Sequence, residues 1–193
     1  MTEGNTKLCE EAAMRKTARG FTLVELLVTV AFFAIFSMIS MPLFTSVYQG
    51  YRFDGAAQTV GSDLRYAQGL AVNKGGCYGL HFGSDPLVNR PNQYRIEKGG
   101  CNGLGWPAAA DTMATNPNVI TNWYNLPQDF PGVTITSLKD NASLTVNRVS
   151  FNSLGASVNP FVAISNPVTI TLSNASGATR AIQVRATGSV QVP

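Results

Sequence analysis

Three residues near the N-terminus could do chemistry together. Gly20 and Phe21 join a polar stretch to an apolar one, and Glu25 follows Phe21 by four residues. The run from Phe21 to Phe44 reads FTLVELLVTVAFFAIFSMISMPLF, and Glu25 is its single ionisable side chain. A carboxylate in an apolar helix is costly, which makes Glu25 a functional hypothesis by default. The plainer reading lets it reach the headgroup region from near the helix end. Cleavage between Gly20 and Phe21 would create a cationic amine at Phe21. That amine could neutralise a carboxylate at low dielectric, its own or a neighbour's. The implied chemistry is processing followed by ion pairing, not turnover.

The other reactive residue types carry less. Cys9 lies in the polar leader, which leaves Cys77 and Cys101 as an even pair. In an oxidising compartment a disulfide is the favoured reading, with two free thiols as the alternative. The bond would close a loop of about 25 residues and stabilise by about 3 kcal/mol. The single histidine, His81, sits in an alternating stretch and is expected to be structural. Two cysteines and one histidine make a poor zinc set, so no metal or other cofactor is expected. The glycine-rich Gly99–Gly105 stretch lacks GK[ST] and a strand–loop–helix context, which argues against a phosphate loop. GxSxG, HExxH and EF-hand patterns are absent, and the chain is not read as an enzyme.

The elements that must position these residues follow from hydropathy and period. Twenty-four helical residues rise about 36 Å, enough for a hydrocarbon core of about 30 Å. Only a helix satisfies its own backbone there. Arg15, Lys16 and Arg19 precede the run, which puts that side in the cytoplasm. The run is too long for a secretory signal, and no convincing small-residue cleavage site follows it. Pro42 is expected to bend the helix or loosen one hydrogen bond near its outer end. Apolar or small residues then recur at Phe44, Val47, Tyr48, Tyr51, Ala57, Val60, Leu64, Ala67, Leu70 and Ala71, reading as one helix face and as core. Gly50, Gly55 and Gly61 weaken this helix, and 50–55 is where an interruption would fall. Asp63 and Arg65 read as polar-face residues. Gly75-Gly76 supplies a stop.

Beyond Gly76 the period becomes two. Cys77–Phe82 and Gln93–Glu97 alternate around turn signals at Asp85-Pro86 and Arg90-Pro91. Residues 103–131 read as irregular, with Trp106, Trp123 and Tyr124 expected to pin the loop to the core; a contact surface is the alternative. Val133–Thr136, Leu144–Val146 and Val149–Phe151 read as strand pieces. Val168–Leu172 and Ala181–Arg185 flank Ser173–Gly177 as a hairpin, and Val190–Val192 adds a last short strand. The fold class is α+β: a long N-terminal helix, half membrane-spanning and half amphipathic, packed on antiparallel β-sheets. The segments are a leader 1–20, a spanning helix 21–44, an amphipathic continuation 45–76 and a β head 77–193. The formal charge of +3 falls to +2 without the leader, a weak excess for nucleic acid.

Gly20-Phe21-Thr22-Leu23-Val24-Glu25, behind its charged leader, resembles the class III signal of type IV pilin-like proteins. The resemblance implies a prepilin peptidase that cuts after Gly20 and methylates the new N-terminal Phe21. It implies that Glu25 pairs with the N-terminal amine of an adjacent subunit, and that Pro42 is the helix-perturbing proline of such helices. The order of helix then antiparallel strands resembles the GspH/FimT branch, the minor pseudopilins of type II secretion systems and minor pilins of type IV pili. Its members pack the long helix on two small antiparallel sheets. Expected partners are prepilin peptidase and other pilins or pseudopilins. The expected place is the inner membrane, single-pass, with the C-terminal domain periplasmic. Some FimT-like minor pilins bind DNA through a basic C-terminal segment. Here no basic residue follows Gly188. Arg148, Arg180 and Arg185 would have to converge, so a DNA-binding minor pilin for natural transformation stands as the alternative.

Overall fold

The computed structural model describes residues 20–83, 89–140, 146–158 and 167–192, without the side chains of 41–43 and 46. The leader before Gly20, the Asp85-Pro86 turn signal, and Leu144 and Thr145 lie outside the described residues. The chain divides into two compact units, Met1–Val47 and Tyr48–Pro193.

Helix α1 runs Leu23–Lys74 without a break at residues 50–55. In the first unit its side chains from Leu23 to Ile39 are all exposed. The window Leu23–Ser40 has a mean hydropathy of 2.3, long and apolar enough to cross a membrane. Pro42 falls inside α1.

In the second unit α1 buries Phe53, Ala56, Ala57, Val60, Leu64, Ala67 and Ala71, a stripe of three- and four-residue steps. The stripe starts at Phe53. Phe44 and Val47, expected on it too, lie in the first unit and are 74% and 55% exposed. Tyr48 and Tyr51 were expected on it, but they are 61% and 74% exposed. Their steps fit the helical period, but the stripe needs a wall, and the head supplies one only from Phe53 on. The small residues let sheet and tail approach closely. A Cβ on Gly61 would lie 2.5 Å from Val192 Cγ2. α1 stops where Gly75 and Gly76 take φ of 65° and 108°, which glycine adopts without strain.

Two antiparallel sheets receive the helix. The first has the order β3(Tyr124–Asn125), β2(Gln93–Gly99), β1(Cys77–Phe82), β5(Arg148–Phe151), β6(Ser157–Val158). The second has the order β4(Thr134–Lys139), β7(Val168–Ser173), β8(Thr179–Val184), β9(Val190–Gln191). Tyr78, Leu80, Phe82, Tyr94, Ile96, Val149 and Phe151 of the first sheet share one core with Leu138, Val168, Ile170, Leu172, Ile182 and Val184 of the second. The β7–β8 hairpin closes on Asn174, whose Oδ1 accepts the N–H groups of Ser176 and Ala178. The stretch expected to be wholly irregular contains β3 and one turn of helix, α2(Leu126–Asp129), with a proline in its first turn.

Candidate functional site

The processing junction is open. Gly20 is exposed, Phe21 is 79% exposed, and both precede the first helical residue, Leu23. Thr22 is the cap. Its Oγ1 accepts the Glu25 backbone N–H at 3.2 Å, and its carbonyl accepts from Leu26 at 3.1 Å. Thr22-x-x-Glu25 is therefore a capping-box spacing, and Glu25 lies in the first turn at the positive end of the helix dipole. Glu25 is exposed within its unit, and among the described residues no side chain is recorded against its carboxylate.

A second polar constellation lies in the head, on the sheet face away from α1. Register places Arg95, His81 and Arg148 side by side on β2, β1 and β5, and Glu97, Gly79 and Ser150 side by side in the next row. Gly79 has no side chain, and a Cβ there would lie 2.4 Å from the Val149 carbonyl oxygen. Over that gap the Glu97 carboxylate reaches Arg148 on the far strand, Oε2 to Nη2 at 2.6 Å. Its other oxygen takes Arg95 Nε at 2.6 Å and meets His81 Nδ1 at 3.0 Å. Glu97 is 0% exposed and Arg95 is 1% exposed. Burial alone pushes the Glu97 carboxyl up. The His81 hydrogen bond and the charges of His81, Arg148 and Arg95 outweigh it and hold the group below its ordinary range.

The same arginine holds down the 100–123 loop. Arg95 Nη1 donates to the Asp111 carbonyl at 2.6 Å and Nη2 to the Ala108 carbonyl at 2.8 Å. Trp123 lies over Arg95 at 4.5 Å and Trp106 over Arg148 at 4.6 Å, so two indoles roof the cluster. Cys77 and Cys101 are joined by a disulfide with a Cα–Cα distance of 5.3 Å, tying the loop to the first residue of β1. A closed loop of this length contributes about 3 kcal/mol in the chain-entropy account. Trp106 Nε1 donates to the Gly100 carbonyl at 3.0 Å within the loop, and His81 is buried with its Nδ1 against Glu97. Among the described residues no group of three metal-ligating side chains is present.

The three arginines of the nucleic-acid alternative do not form one basic surface. Arg148 is 5% exposed and committed to Glu97 in the first sheet, because a cation this deeply buried needs a counter-charge. Arg180 belongs to β8 of the second sheet and pairs with Asp54, Nε to Oδ1 at 2.9 Å. Arg185, just past β8, is exposed.

Asp63 also departs from the surface role expected of it. It is half-buried on α1 and accepts the Tyr94 hydroxyl at 2.7 Å. Burial raises its carboxyl above the ordinary 3.8, more than the Tyr94 hydrogen bond lowers it. Burial and Asp63 likewise push the Tyr94 phenol up. A raised carboxyl means the folded state holds the proton longer than the unfolded one. Its stability contribution is full below the unfolded value and is lost as pH rises through the folded value. Asp63→Asn keeps an acceptor for Tyr94 and removes this titration. We expect the variant to match the parent at pH 7 or exceed it by up to about 1 kcal/mol, solvent screening being substantial. Urea midpoints from pH 4 to 7 check this; a variant clearly less stable than the parent at pH 7 contradicts it.

The family model for type II transport protein GspH matches residues 56–188. The chain belongs to the GspH family. The prokaryotic N-terminal methylation motif matches residues 15–41, which include Gly20, Phe21 and Glu25. The chain thus joins an N-terminal methylation motif to a GspH-family domain, in an α+β fold of N-terminal helix and antiparallel sheets. No curated protein matches the chain. Among solved structures it is similar to the type IV minor pilin FimU of Pseudomonas aeruginosa, with 16% identity, 73% of this chain and 87% of that chain covered, and a TM-score of 0.47. It is also similar to the minor pseudopilin EpsH of the Vibrio cholerae Type 2 Secretion System, with 12% identity, 74% and 96% covered, and a TM-score of 0.47.

Proposed function

We propose that this GspH-family chain is a minor subunit of a type IV pilus or type II secretion pseudopilus. In this reading prepilin peptidase cuts between Gly20 and Phe21 and methylates the new Phe21 amine. The chain waits in the inner membrane on α1 with its head in the periplasm. It then enters a filament by exchanging lipid around Leu23–Ser40 for the helices of neighbouring subunits. The Phe21 amine of one subunit and Glu25 of the next set the axial register, because a desolvated charge accepts few alternative partners. Pro42 adjusts the outer end of the span.

One observation carries the reading. The methylation motif coincides with a junction where Gly20 and Phe21 stand exposed before a capped helix whose residues Leu23–Ser40 are none of them buried among the described residues. Such a helix needs an apolar surround from outside, first lipid and then other subunits. The DNA-binding alternative loses support because Arg148 is enclosed with Glu97. Filament fractions sheared from cells test the reading. The chain should be present when the peptidase is active and missing when it is not. Its absence from filaments in both cases contradicts it.

A further inference from the structure

Just before the first core residue, Phe53, α1 carries a short segment of the second unit, residues 48–52, that is not buried. From Tyr48 to Arg52 no side chain is buried. Tyr48 and Tyr51 are 61% and 74% exposed, and the Arg52 guanidinium stands 5.2 Å from the centre of the Tyr48 ring. Two half-polar aromatic rings and a cation on adjacent turns are an odd set to leave in bulk water. They are a suitable set for a membrane–water boundary, where rings seat among headgroups and an arginine finds phosphate.

We propose that Tyr48, Tyr51 and Arg52 form a lipid-headgroup belt, with the two rings in the headgroup layer on the head's side and Arg52 on an anionic lipid phosphate. The proposal rests on the reading of α1 as a membrane anchor. Helix arithmetic places the belt. About twenty residues from Leu23 cover a hydrocarbon core of about 30 Å at about 1.5 Å each. Tyr48 then lies about 7 Å beyond that core, in a headgroup layer of about 5–8 Å, and Tyr51 about 12 Å beyond it, from where its ring reaches back to the layer because helical side chains tilt toward the N-terminus. The belt fixes how far the helix sinks, and so where the Phe21 end stops on the other side. It also gives the free subunit a lipid contact that must be surrendered when the subunit leaves the membrane.

The test uses the full chain with Cys9→Ser. Single cysteines replace Phe36, Tyr48, Tyr51 or Gln58 and are spin-labelled. The protein is reconstituted at high dilution in vesicles of phosphatidylethanolamine and phosphatidylglycerol. Collision with oxygen and with a water-soluble nickel chelate reads depth. The label at 36 should read hydrocarbon and the label at 58 water. Those at 48 and 51 should lie between, with nickel access several-fold below that at 58. Adding Arg52→Glu should raise nickel access at 51 by about twofold or more. Labels at 48 and 51 as open to nickel as the one at 58, with 36 still in hydrocarbon, would overturn the belt alone. A label at 36 that reads water would overturn the anchor reading and the belt with it. Nickel shielding at 48 accompanied by spin–spin broadening would put a second copy there and overturn the lipid assignment. An unchanged label at 51 in the Arg52→Glu chain would overturn the phosphate contact.

Discussion

Glu25→Ala yields a chain that is cleaved after Gly20 like the parent, yet its recovery in filaments falls by about two orders of magnitude. Cleavage survives because the substitution leaves Gly20 and Phe21 untouched and the Thr22 cap in place, its Oγ1 bonding to a backbone N–H rather than to the Glu25 side chain. Under the proposed pairing incorporation fails, because the Phe21 amine of the neighbour would then be buried without a counter-charge, at a cost of about 3–5 kcal/mol. Glu25→Asp should recover part of the loss, since it restores the charge at a shorter reach. Immunoblots of sheared filaments against total membranes give the ratio. A Glu25→Ala chain that enters filaments at the parent's level contradicts the pairing.

The second large effect belongs to the head. Glu97→Gln leaves Arg95 and Arg148 buried together with no carboxylate between them. Removing one partner of a buried ion pair costs about 3–5 kcal/mol, which for a domain of this size lowers the melting temperature by about 10–15 °C. Hydrogen exchange should also rise in the 100–123 loop, because Arg95 holds its Ala108 and Asp111 carbonyls. The pH dependence has a definite sign. The Glu97 carboxyl is held below its ordinary 4.5, so its contribution is present above that value and is lost as pH falls through the lower folded value. Glu97→Gln should lack that acid limb. Calorimetry of the full chain in detergent between pH 3 and 7 reads both effects. A variant within about 1 kcal/mol of the parent at pH 7 would show that the Glu97 carboxylate is not needed to hold the two cations.

The two halves of the molecule differ in how much of them the sequence reveals. The apolar part of the N-terminal helix is legible because a run of this length has one structural solution in lipid. The β1–β2 and β7–β8 hairpins are legible because period-two alternation meets strong turn residues, as at Asn174. The Glu97 cluster is not legible. Arg95 and Glu97 alternate with Tyr94 and Ile96, the pattern of a strand with one solvated face. That face is covered by a loop whose course is set by contacts distant in sequence. The available signals were indirect: Gly79 and Gly99 on the same face as the charges, and two tryptophans in a polar loop. A Cβ on Gly99 would lie 2.4 Å from the Trp106 ring, which explains the glycine only once the loop is in place. Tyr48 and Tyr51 misled in the opposite direction. Their helical spacing is genuine, but spacing gives a face and not what lies against it.

The most direct measurement is the intact mass and first residue of the protein from membranes, with and without co-expressed prepilin peptidase. The account predicts a chain beginning at N-methylated Phe21 when the peptidase is active, and the uncut leader when it is not. A chain still beginning at Met1 beside an active peptidase, or one cut beyond residue 44, would contradict it.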